Sequence, residues 1–208
     1  MVASRSTDDA GERQGAPRRR GPVLERAILE AALEQLSAVG WNALTMEGVA
    51  ARARTGKAAV YRRWSSKEDL VADALRAALP ELVASADHGS VREDLYQLCR
   101  GIRDAMFSTP GFALRAVLHE CDNSTAERFH ELIIRRVAEP SVQLFKEVVW
   151  RGIKRGDVRS DAVGDLICDV IPGLMMYRSK VCGSKFPDED IARMIDEVMV
   201  PLLRRSGR

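Results

Sequence analysis

The stretch TMEGVAARARTGKAAVYRRWSSK, residues 45–67, decides how the N-terminal part of this chain folds. Its pattern predicts two short helices joined by a tight turn, with a basic face on the second helix. A helix-turn-helix that lies on DNA needs small residues where its helices cross and a polar outer face on its second helix. Ala50 and Ala53 allow a close crossing, and Gly56 serves the turn. The segment therefore indicates a DNA-reading unit, with a plain three-helix packing unit as the alternative.

The composition predicts an almost entirely α-helical protein. The 208 residues are 46% hydrophobic and 5% aromatic, and the abundant Ala, Leu, Arg and Glu include strong helix formers. The net charge is only +2, yet residues 16–67 hold ten Lys and Arg residues against four Glu residues. A basic N-terminal third on a slightly acidic body indicates a polyanion-binding module on a separate platform, and a fluctuation of surface charge is the alternative.

Apolar runs and cysteines argue against several other classes of protein. No run approaches the roughly 20 apolar residues that span a bilayer, and the N-terminus lacks the apolar segment of a signal peptide. The four cysteines, Cys99, Cys121, Cys168 and Cys182, form no C-x-x-C pair, which indicates reduced and mostly buried thiols. We expect a cytoplasmic protein, associated with the nucleoid when it binds DNA, with no membrane partner.

Hydrophobic periodicity and stop signals predict about nine helices. They cover residues 24–39, 45–53, 57–64, 67–79, 91–107, 112–120, 125–154, 161–181 and 188–203. Gly40 is expected to end the first helix, with Trp41 packing back on it. Pro140 is expected to kink or break the long seventh helix, and Pro172-Gly173 to bend the eighth.

Side chains suited to DNA gather on and around the third predicted helix. Lys57 can donate to a guanine edge, and Ala58 can touch a thymine methyl group. Tyr61 and Lys67 are suited to phosphates, which position a protein without specifying sequence. The remaining basic candidates, suited to either a base or a phosphate, are Arg62 and Arg63.

This part of the chain resembles the TetR family of bacterial regulators. The resemblance runs over residues 24–70 and rests on the segments ILEAALEQLSAVGWNALTMEGVAARA, GKAAVYRRW and SSKEDL. The features at fixed spacings are Gly40-Trp41, Thr45-Met46, Tyr61 and Ser66-Lys67-Glu68. The later segment RGIKRGDVRSD, residues 151–161, is similar to a common C-terminal variety of the family.

The resemblance implies a scheme of DNA contacts. The base-reading face consists of Lys57, Ala58 and Arg62. The phosphate contacts are Thr45, Tyr61 and Lys67. The full expected DNA-binding set is Thr45, Thr55, Lys57, Ala58, Tyr61, Arg62, Arg63 and Lys67. The expected partner is a palindromic operator in double-stranded DNA.

Some positions depart from the family pattern. The turn reads Arg54-Thr55-Gly56 where the family commonly has Gly-Val-Ser, so Arg54 must adopt a conformation that glycine meets more easily. Ala59 replaces a frequent hydroxyl residue, which puts one phosphate contact in doubt. Glu47 lies near the expected DNA surface and either disfavours some bases or points away.

The last two predicted helices carry apolar stripes that are wider than a one-sided core helix requires. We expect a second buried face there, against the same helices of an identical partner, and a wider core within one chain is the alternative. The candidate interface residues are Leu166, Val170, Leu174, Met175, Ile191, Met194, Ile195, Val198 and Leu202. The resemblance implies the same pairing, a homodimer through a four-helix bundle.

A small-molecule pocket in the C-terminal body is also implied by the resemblance, with ligand binding shifting two DNA-reading heads. The large apolar candidates on the central helices are Phe107, Phe112, Leu118, Phe129, Ile133, Trp150 and Met176. An ordinary core role is the alternative for each. Few polar groups stand out among them, which favours a hydrophobic or amphipathic ligand.

Three segments follow from these patterns. Residues 1–21 are expected to be a disordered basic arm, in which Arg18, Arg19 and Arg20 either contact DNA or solubilise the chain. Residues 22–66 form the helix-turn-helix domain, and residues 67–208 form the helical effector-binding and dimerisation domain. The expected function is a transcriptional repressor that an effector releases from its operator. An effector-independent or non-specific DNA-binding protein is the alternative.

Catalysis and metal binding find little support in the sequence. The candidate cluster is His119-Glu120-Cys121-Asp122, with His130 nearby, but it contains no H-E-x-x-H pattern. His119 and Cys121 are two residues apart and diverge on a helix, so they do not form a nucleophile and base pair. We expect no enzyme activity, no cofactor and no metal, and a regulator that senses metal through His119, Cys121 and Asp122 is a remote alternative.

Overall fold

The computed structural model describes residues 21–80, 86–162 and 164–204, which are largely helical and include no strand. The helices are α1 (Gly21–Ala43), α2 (Met46–Arg52), α3 (Lys57–Tyr61), α4 (Lys67–Ala78), α5 (Val91–Met106), α6 (Thr109–Glu120), α7 (Asn123–Ile133), α8 (Glu139–Arg155), α9 (Asp165–Val181), α10 (Asp188–Met194) and α11 (Val200–Leu203). The all-α prediction is confirmed. The predicted arm, with Arg18, Arg19 and Arg20, lies outside the described residues apart from residue 21.

Gly40 interrupts α1 close to the predicted end of the first helix. Its φ of 80° and ψ of 176° are not helical, and a positive φ is a conformation that glycine adopts without a steric penalty. The chain then makes one more short turn, to Ala43, which brings Trp41 into the core. There the Trp41 ring meets Phe129 edge-on, with 5.5 Å between ring centroids.

Side-chain caps define where several helices begin. Thr45 Oγ1 accepts a hydrogen bond from the Gly48 N–H at the start of α2, and Ser66 Oγ accepts one from the Asp69 N–H at the start of α4. Ser108 caps α6 in the same way, with Pro110 in the first turn. Pro110 suits that position because the first helical N–H groups have no partner within the helix. Hence α6 begins earlier than the predicted residue 112.

Two π-helical segments interrupt the long helices of the body. They are Ile134–Ala138, between α7 and α8, and Ile195–Met199, between α10 and α11. Each segment contains the residue four positions before a proline, Arg136 before Pro140 and Glu197 before Pro201. Proline cannot donate to the carbonyl four residues back and clashes with it, so the wider turn accommodates both defects. The break predicted at Pro140 is therefore found one turn earlier, whereas Pro172 lies inside an uninterrupted α9.

The buried side chains form two clusters. The first joins α1, α2, α3 and α4 to residues of α6 and α7, and the second joins α5 and α8 to α9, α10 and α11. Because α4 and α6 both contribute to the first cluster, that cluster extends past residue 66, where the predicted DNA-binding domain ends. We call residues 22–66 the head and the residues from 67 onward the body. The two therefore share one hydrophobic core.

A buried carboxylate ties α5 to α8 in the second cluster. Asp94 is the charged side chain that is fully buried among the described residues. Its Oδ1 accepts the His88 N–H at 2.8 Å, and its Oδ2 accepts Arg155 Nη2 at 3.0 Å. Arg151 Nε lies 3.5 Å from the same Oδ2. Arg151 and Arg155 belong to the RGIKRGDVRSD segment, so this segment anchors the end of α8 to the start of α5.

Candidate DNA-binding face

Backbone hydrogen bonds hold the turn between α2 and α3. The Thr55 N–H donates to the Ala50 carbonyl at 2.9 Å, and the Arg54 N–H donates to the Ala51 carbonyl at 3.1 Å. Arg54 has a φ of 54°, in the left-handed region, which costs about 1–2 kcal/mol for a residue with a Cβ. The turn conformation predicted for Arg54 is confirmed, and Gly56 then leads directly into α3.

The two sides of α3 differ completely in exposure. Ala59 and Val60 are buried, as is Trp64 just beyond the helix. The exposed side carries Lys57, Ala58, Tyr61, Arg62 and Arg63. The helix ends at Tyr61 rather than at the predicted Trp64, because residues 62–64 form a tighter turn in which the Arg63 N–H donates to the Val60 carbonyl. Ala59 faces the core, so its methyl group does not belong to the exposed side.

Glu47 on α2 reaches across to the exposed side of α3. Its Oε1 lies 3.4 Å from Lys57 Nζ and accepts a hydrogen bond from the Tyr61 hydroxyl at 3.3 Å. A hydrogen bond to its own backbone, followed by the contacts with Lys57 and Tyr61, lowers the pKa of the Glu47 carboxyl. Glu47 thus stays charged and holds two of the candidate DNA contacts. Sequence patterns do not predict this contact, because Glu47 lies 10 and 14 residues before Lys57 and Tyr61.

Lys67 and Thr45 stand at helix starts beside α3. Lys67 Nζ donates to the Trp41 carbonyl at 3.1 Å and lies 4.4 Å from the centroid of the Trp41 ring. Thr45 Oγ1 caps α2. Arg63 is also held locally, since its Nη1 donates to the Ala59 carbonyl at 2.9 Å. Local hydrogen bonds therefore position the side chains of Lys67, Thr45 and Arg63. Arg62 is exposed.

Helix α6 connects this head to the body at both of its ends. At its start the Ser37 hydroxyl donates to the Thr109 carbonyl at 3.2 Å. At its end Glu120 Oε2 accepts the Asn42 N–H at 3.1 Å, directly beside Gly40, where any Cβ would collide with the Glu120 carboxylate. A displacement of α6 therefore acts on α1 through two polar contacts and the shared core.

The structure divides the seven predicted pocket residues among several places. Phe107 and Phe112 lie together, with 6.0 Å between ring centroids, and line the same surface cavities. Phe129 is fully buried and Ile133 packs against the first cluster. Leu118, Trp150 and Met176 are exposed on the surfaces of α6, α8 and α9, as is Phe112 on α6. One residue missed by the sequence reasoning is Arg115, whose guanidinium lies against both Phe107 and Phe112.

The predicted dimer residues fall into two groups, and one group needs correction. Four of them are buried inside the second cluster of their own chain and offer no surface to a partner: Met175, Ile191, Met194 and Ile195. They form this core because α9 and α10 pack with α5 and α8. Leu166 is 83% exposed and Leu202 is 40% exposed, and the half-buried members are Val170, Leu174 and Val198. Tyr177 and Val181, not predicted, extend the exposed row on α9.

The described part of the chain presents neither a metal-binding group of side chains nor a membrane-spanning helix. Across those residues no three His, Cys, Asp or Glu side chains group in a way that would hold a metal ion, so His119, Cys121 and Asp122 do not converge. All four cysteines are free thiols, and burial raises the pKa of the Cys99 thiol to about 12. Within residues 21–80, 86–162 and 164–204, no helix combines the length and apolar character needed to cross a bilayer.

Two family models match this chain in sequence. Residues 28–74 match bacterial regulatory proteins of the tetR family, and residues 85–198 match the tetracyclin repressor-like C-terminal domain. The chain belongs to the TetR family. The first match covers the helix-turn-helix and the second covers more than half of the chain, so the resemblance seen in the head extends through the body.

Relatives align with this TetR-family chain over nearly its whole length. It is 30% identical over 194 residues to the DNA-binding transcriptional repressor TetR of Mycobacteroides abscessus, covering 91% of this chain and 98% of that protein. It is 29% identical over 210 residues to an uncharacterized HTH-type transcriptional regulator of Mycobacterium tuberculosis, covering 99% and 96%. The same order of head and body is therefore shared along the full alignment.

Solved structures show the same fold at lower identity. The repressor MexZ of Pseudomonas aeruginosa superposes with a TM-score of 0.68 at 16% identity, covering 88% of this chain and 96% of that chain. A TetR transcriptional regulator from Agrobacterium tumefaciens gives a TM-score of 0.63 at 18% identity, covering 90% and 97%. At these identities the likeness concerns the fold, and it agrees with the all-α architecture described above.

Proposed function

We propose that this TetR-family regulator is a repressor that binds a palindromic operator as a homodimer and is released by a small-molecule effector. The observation that carries the proposal is the two-sided α3. Its core side, with Val60 and Trp64, fixes the helix on the head, while its outer side presents Lys57, Ala58, Tyr61 and Arg62. A helix held in this way can lie in a major groove with its side chains at the base edges.

The proposed contacts divide by chemistry. Lys57, Ala58 and Arg62 would read bases, since their side chains project from the exposed side of α3. The proposed phosphate contacts and positioning residues are Thr45, Thr55, Tyr61, Arg63 and Lys67. Lys67 would keep its Trp41 bond and offer its remaining N–H groups to a phosphate, which gives a contact of fixed position.

A second copy of the chain is the proposed partner of α9. Leu166, Val170, Leu174, Tyr177 and Val181 follow the three- and four-residue spacing of one helical stripe, and none of them is buried. Leu202 is exposed on α11. A contiguous apolar stripe of this length marks an interaction surface, and pairing it with itself about a two-fold axis gives the symmetric dimer that a palindrome requires.

Release by an effector would operate through α6. Its two polar contacts with α1 and its share of the first cluster make it the mechanical link between body and head. A ligand that binds one position of α6 better than another would change the spacing of the two heads in the dimer. We place the protein in the bacterial cytoplasm and assign it no catalytic role.

Selection of bound DNA from a random pool tests the proposal. The expected result is a palindrome whose half-sites are centred about one helical turn, or a multiple of it, apart. Purified protein should bind it as a dimer, and Tyr61→Ala and Lys67→Ala should each weaken binding strongly. A flat profile across unrelated sequences would instead favour a non-specific DNA-coating protein, and unchanged affinity in both variants would refute the proposed docking.

A further inference from the structure

Arg115 has an unusual setting on the surface of the body. It lies on α6, and its Cζ is 4.9 Å from the centroid of the Phe107 ring and 4.5 Å from that of the Phe112 ring. The two rings themselves meet edge-on. A guanidinium can stack on aromatic faces while its N–H groups keep pointing outward from its edge. The two rings therefore orient the guanidinium of Arg115 without using its N–H donors.

No acidic group neutralises Arg115 within the described ranges 21–80, 86–162 and 164–204. Loss of hydration lowers the pKa of its guanidinium, as expected for a partly buried cation without a carboxylate beside it. Arg103 provides the contrast in the same region, because it pairs with Asp104 at 2.9 Å and with Asp188, and donates to the Phe186 carbonyl. Arg103 therefore has its counter-charges within the protein, whereas no carboxylate among the described residues pairs with Arg115.

The space beside Arg115 is large enough for a small organic molecule. Arg115 lines a cavity of about 430 Å³ with Phe107, Phe112 and Lys185. A neighbouring cavity of about 640 Å³ shares those last three residues, and ligand sites typically enclose about 300–1,000 Å³. Lys180 and Lys185 add positive charge, and in the described part of the chain neither forms an ion pair. The acidic wall residues are Asp104, which pairs with Arg103 at 2.9 Å, and Glu120, which accepts the Asn42 N–H. The groove thus combines aromatic walls with more cations than carboxylates.

We propose that this groove binds an amphipathic organic carboxylate. Its carboxylate would meet Arg115, with Lys185 beside it, and its apolar part would lie against Phe107 and Phe112. A planar guanidinium pairs with a carboxylate through two parallel hydrogen bonds, and the two rings beside Arg115 orient it for that geometry. The inference deepens the proposed function, on which it rests for the role of the ligand as effector, because Arg115 and Phe112 belong to α6.

Matched acid and amide pairs test the charge requirement. Naphthalene-2-carboxylate and naphthalene-2-carboxamide share one ring system and differ in charge, and each is titrated into the full chain by calorimetry. The acid is expected to bind at least about tenfold more tightly than the amide, as a charge-assisted bidentate contact requires. Arg115→Met keeps an apolar stem between the rings and should abolish this preference. Phe112→Ala should weaken acid and amide alike, and Lys185→Met should reduce the preference without abolishing it.

Arg135→Met is the control, because it removes an equal charge from an exposed arginine that pairs with Glu131 at 2.7 Å. It should leave the preference intact. The inference is overturned if neither compound binds, if acid and amide bind equally, if the preference survives Arg115→Met, or if Arg135→Met reduces it as much as Arg115→Met. Thermal unfolding of each variant shows whether it is folded.

Selection of operator DNA separates this inference from the proposed function. A wild-type chain that selects a palindrome but shows no preference for the acid keeps its repressor role and loses the carboxylate site. A chain that binds the acid as expected but selects no DNA keeps the site and loses the role. Where both hold, the acid should release the selected operator from the wild-type protein and leave the Arg115→Met complex intact.

Discussion

Two carboxylates, Glu47 in the head and Asp94 in the body, show how differently the two regions use charge. Glu47 is half-exposed and holds Lys57 and Tyr61 at 3.3–3.4 Å. Asp94 is fully buried and receives the His88 N–H and Arg155. An exposed pair in water has a small net free energy and can be exchanged for another partner, whereas a buried pair cannot lose one member without a large penalty. Glu47 can thus exchange its contacts with Lys57 and Tyr61 for others, whereas Asp94 cannot lose its contacts with His88 and Arg155 without destabilising the fold.

Removing the buried carboxylate should give the largest effect. Asp94→Ala removes the carboxylate beside Arg151, leaves Arg155 with Asp87 and Asp157 alone, and leaves the His88 N–H without its acceptor. We therefore expect a loss of about 3–5 kcal/mol in the free energy of unfolding. Urea unfolding followed by circular dichroism measures it. The matched control is Asp196→Ala, which breaks the half-exposed pair with Arg92 at 2.7 Å and should cost no more than about 1 kcal/mol. Equal losses in both variants would contradict the distinction between a buried and an exposed carboxylate.

Acid titration should show the same contrast in a second way. Burial alone would raise the pKa of Asp94, but the His88 N–H, Arg155 and Arg151 outweigh it and hold the pKa below its ordinary value. A lowered pKa in the folded state stabilises the fold above the unfolded-state pKa of about 3.9 and is lost as the pH falls through the folded-state value. Unfolding free energies measured from pH 6 down to pH 3 should therefore fall in the wild type, and part of that slope should vanish in Asp94→Ala. An unchanged slope would mean that other groups carry the acid dependence.

Truncating a side chain of the reading face should affect DNA binding and spare stability. Tyr61 is 48% exposed, so Tyr61→Ala removes little packing while it deletes a proposed phosphate contact. We expect at least about tenfold weaker operator binding and an unfolding free energy within about 0.5 kcal/mol of the wild type. Fluorescence anisotropy with the selected operator measures the first quantity, and Arg135→Ala serves as an exposed control on the body. A folded variant with full affinity would remove Tyr61 from the docking scheme.

The head and the body also differ in how far the sequence predicts them. The Thr45 cap, the left-handed Arg54 and the buried side of α3 follow from neighbours a few residues apart, so local patterns suffice. The burial of Met175 and Ile195 depends on which faces of α9 and α10 meet α5 and α8. Apolar spacing marks such residues as buried but does not say whether their own chain or a partner covers them.

Contacts that depend on how two helices meet account for the rest. Phe112 and Arg115 are three residues apart on α6, a spacing that places them on one face, but Phe107 joins them only across the bend between α5 and α6. Glu120 stood out in the sequence only beside His119 and Cys121, whereas the structure joins it to Asn42, 78 residues away. Periodicity signals neither the contact of Phe107 with Arg115 nor the bond between Glu120 and Asn42.

The smallest expected effect tests whether Glu47 restrains the reading face. Glu47→Gln keeps the size of the side chain and a hydrogen bond with the Tyr61 hydroxyl, but removes the charge that holds Lys57 and faces the DNA. Because phosphates attract Lys57 without regard to sequence, affinity should rise about two- to fivefold for operator and unrelated DNA alike, most at low salt. Glu34→Gln, which frees Arg52 from a similar exposed pair at 3.1 Å, is the matched control. An equal rise in the control would make the effect one of net charge, and a rise confined to unrelated DNA would make Glu47 a specificity determinant. Anisotropy at several salt concentrations measures these results, because a rise in affinity caused by removing a negative charge near phosphates should shrink as the salt concentration increases.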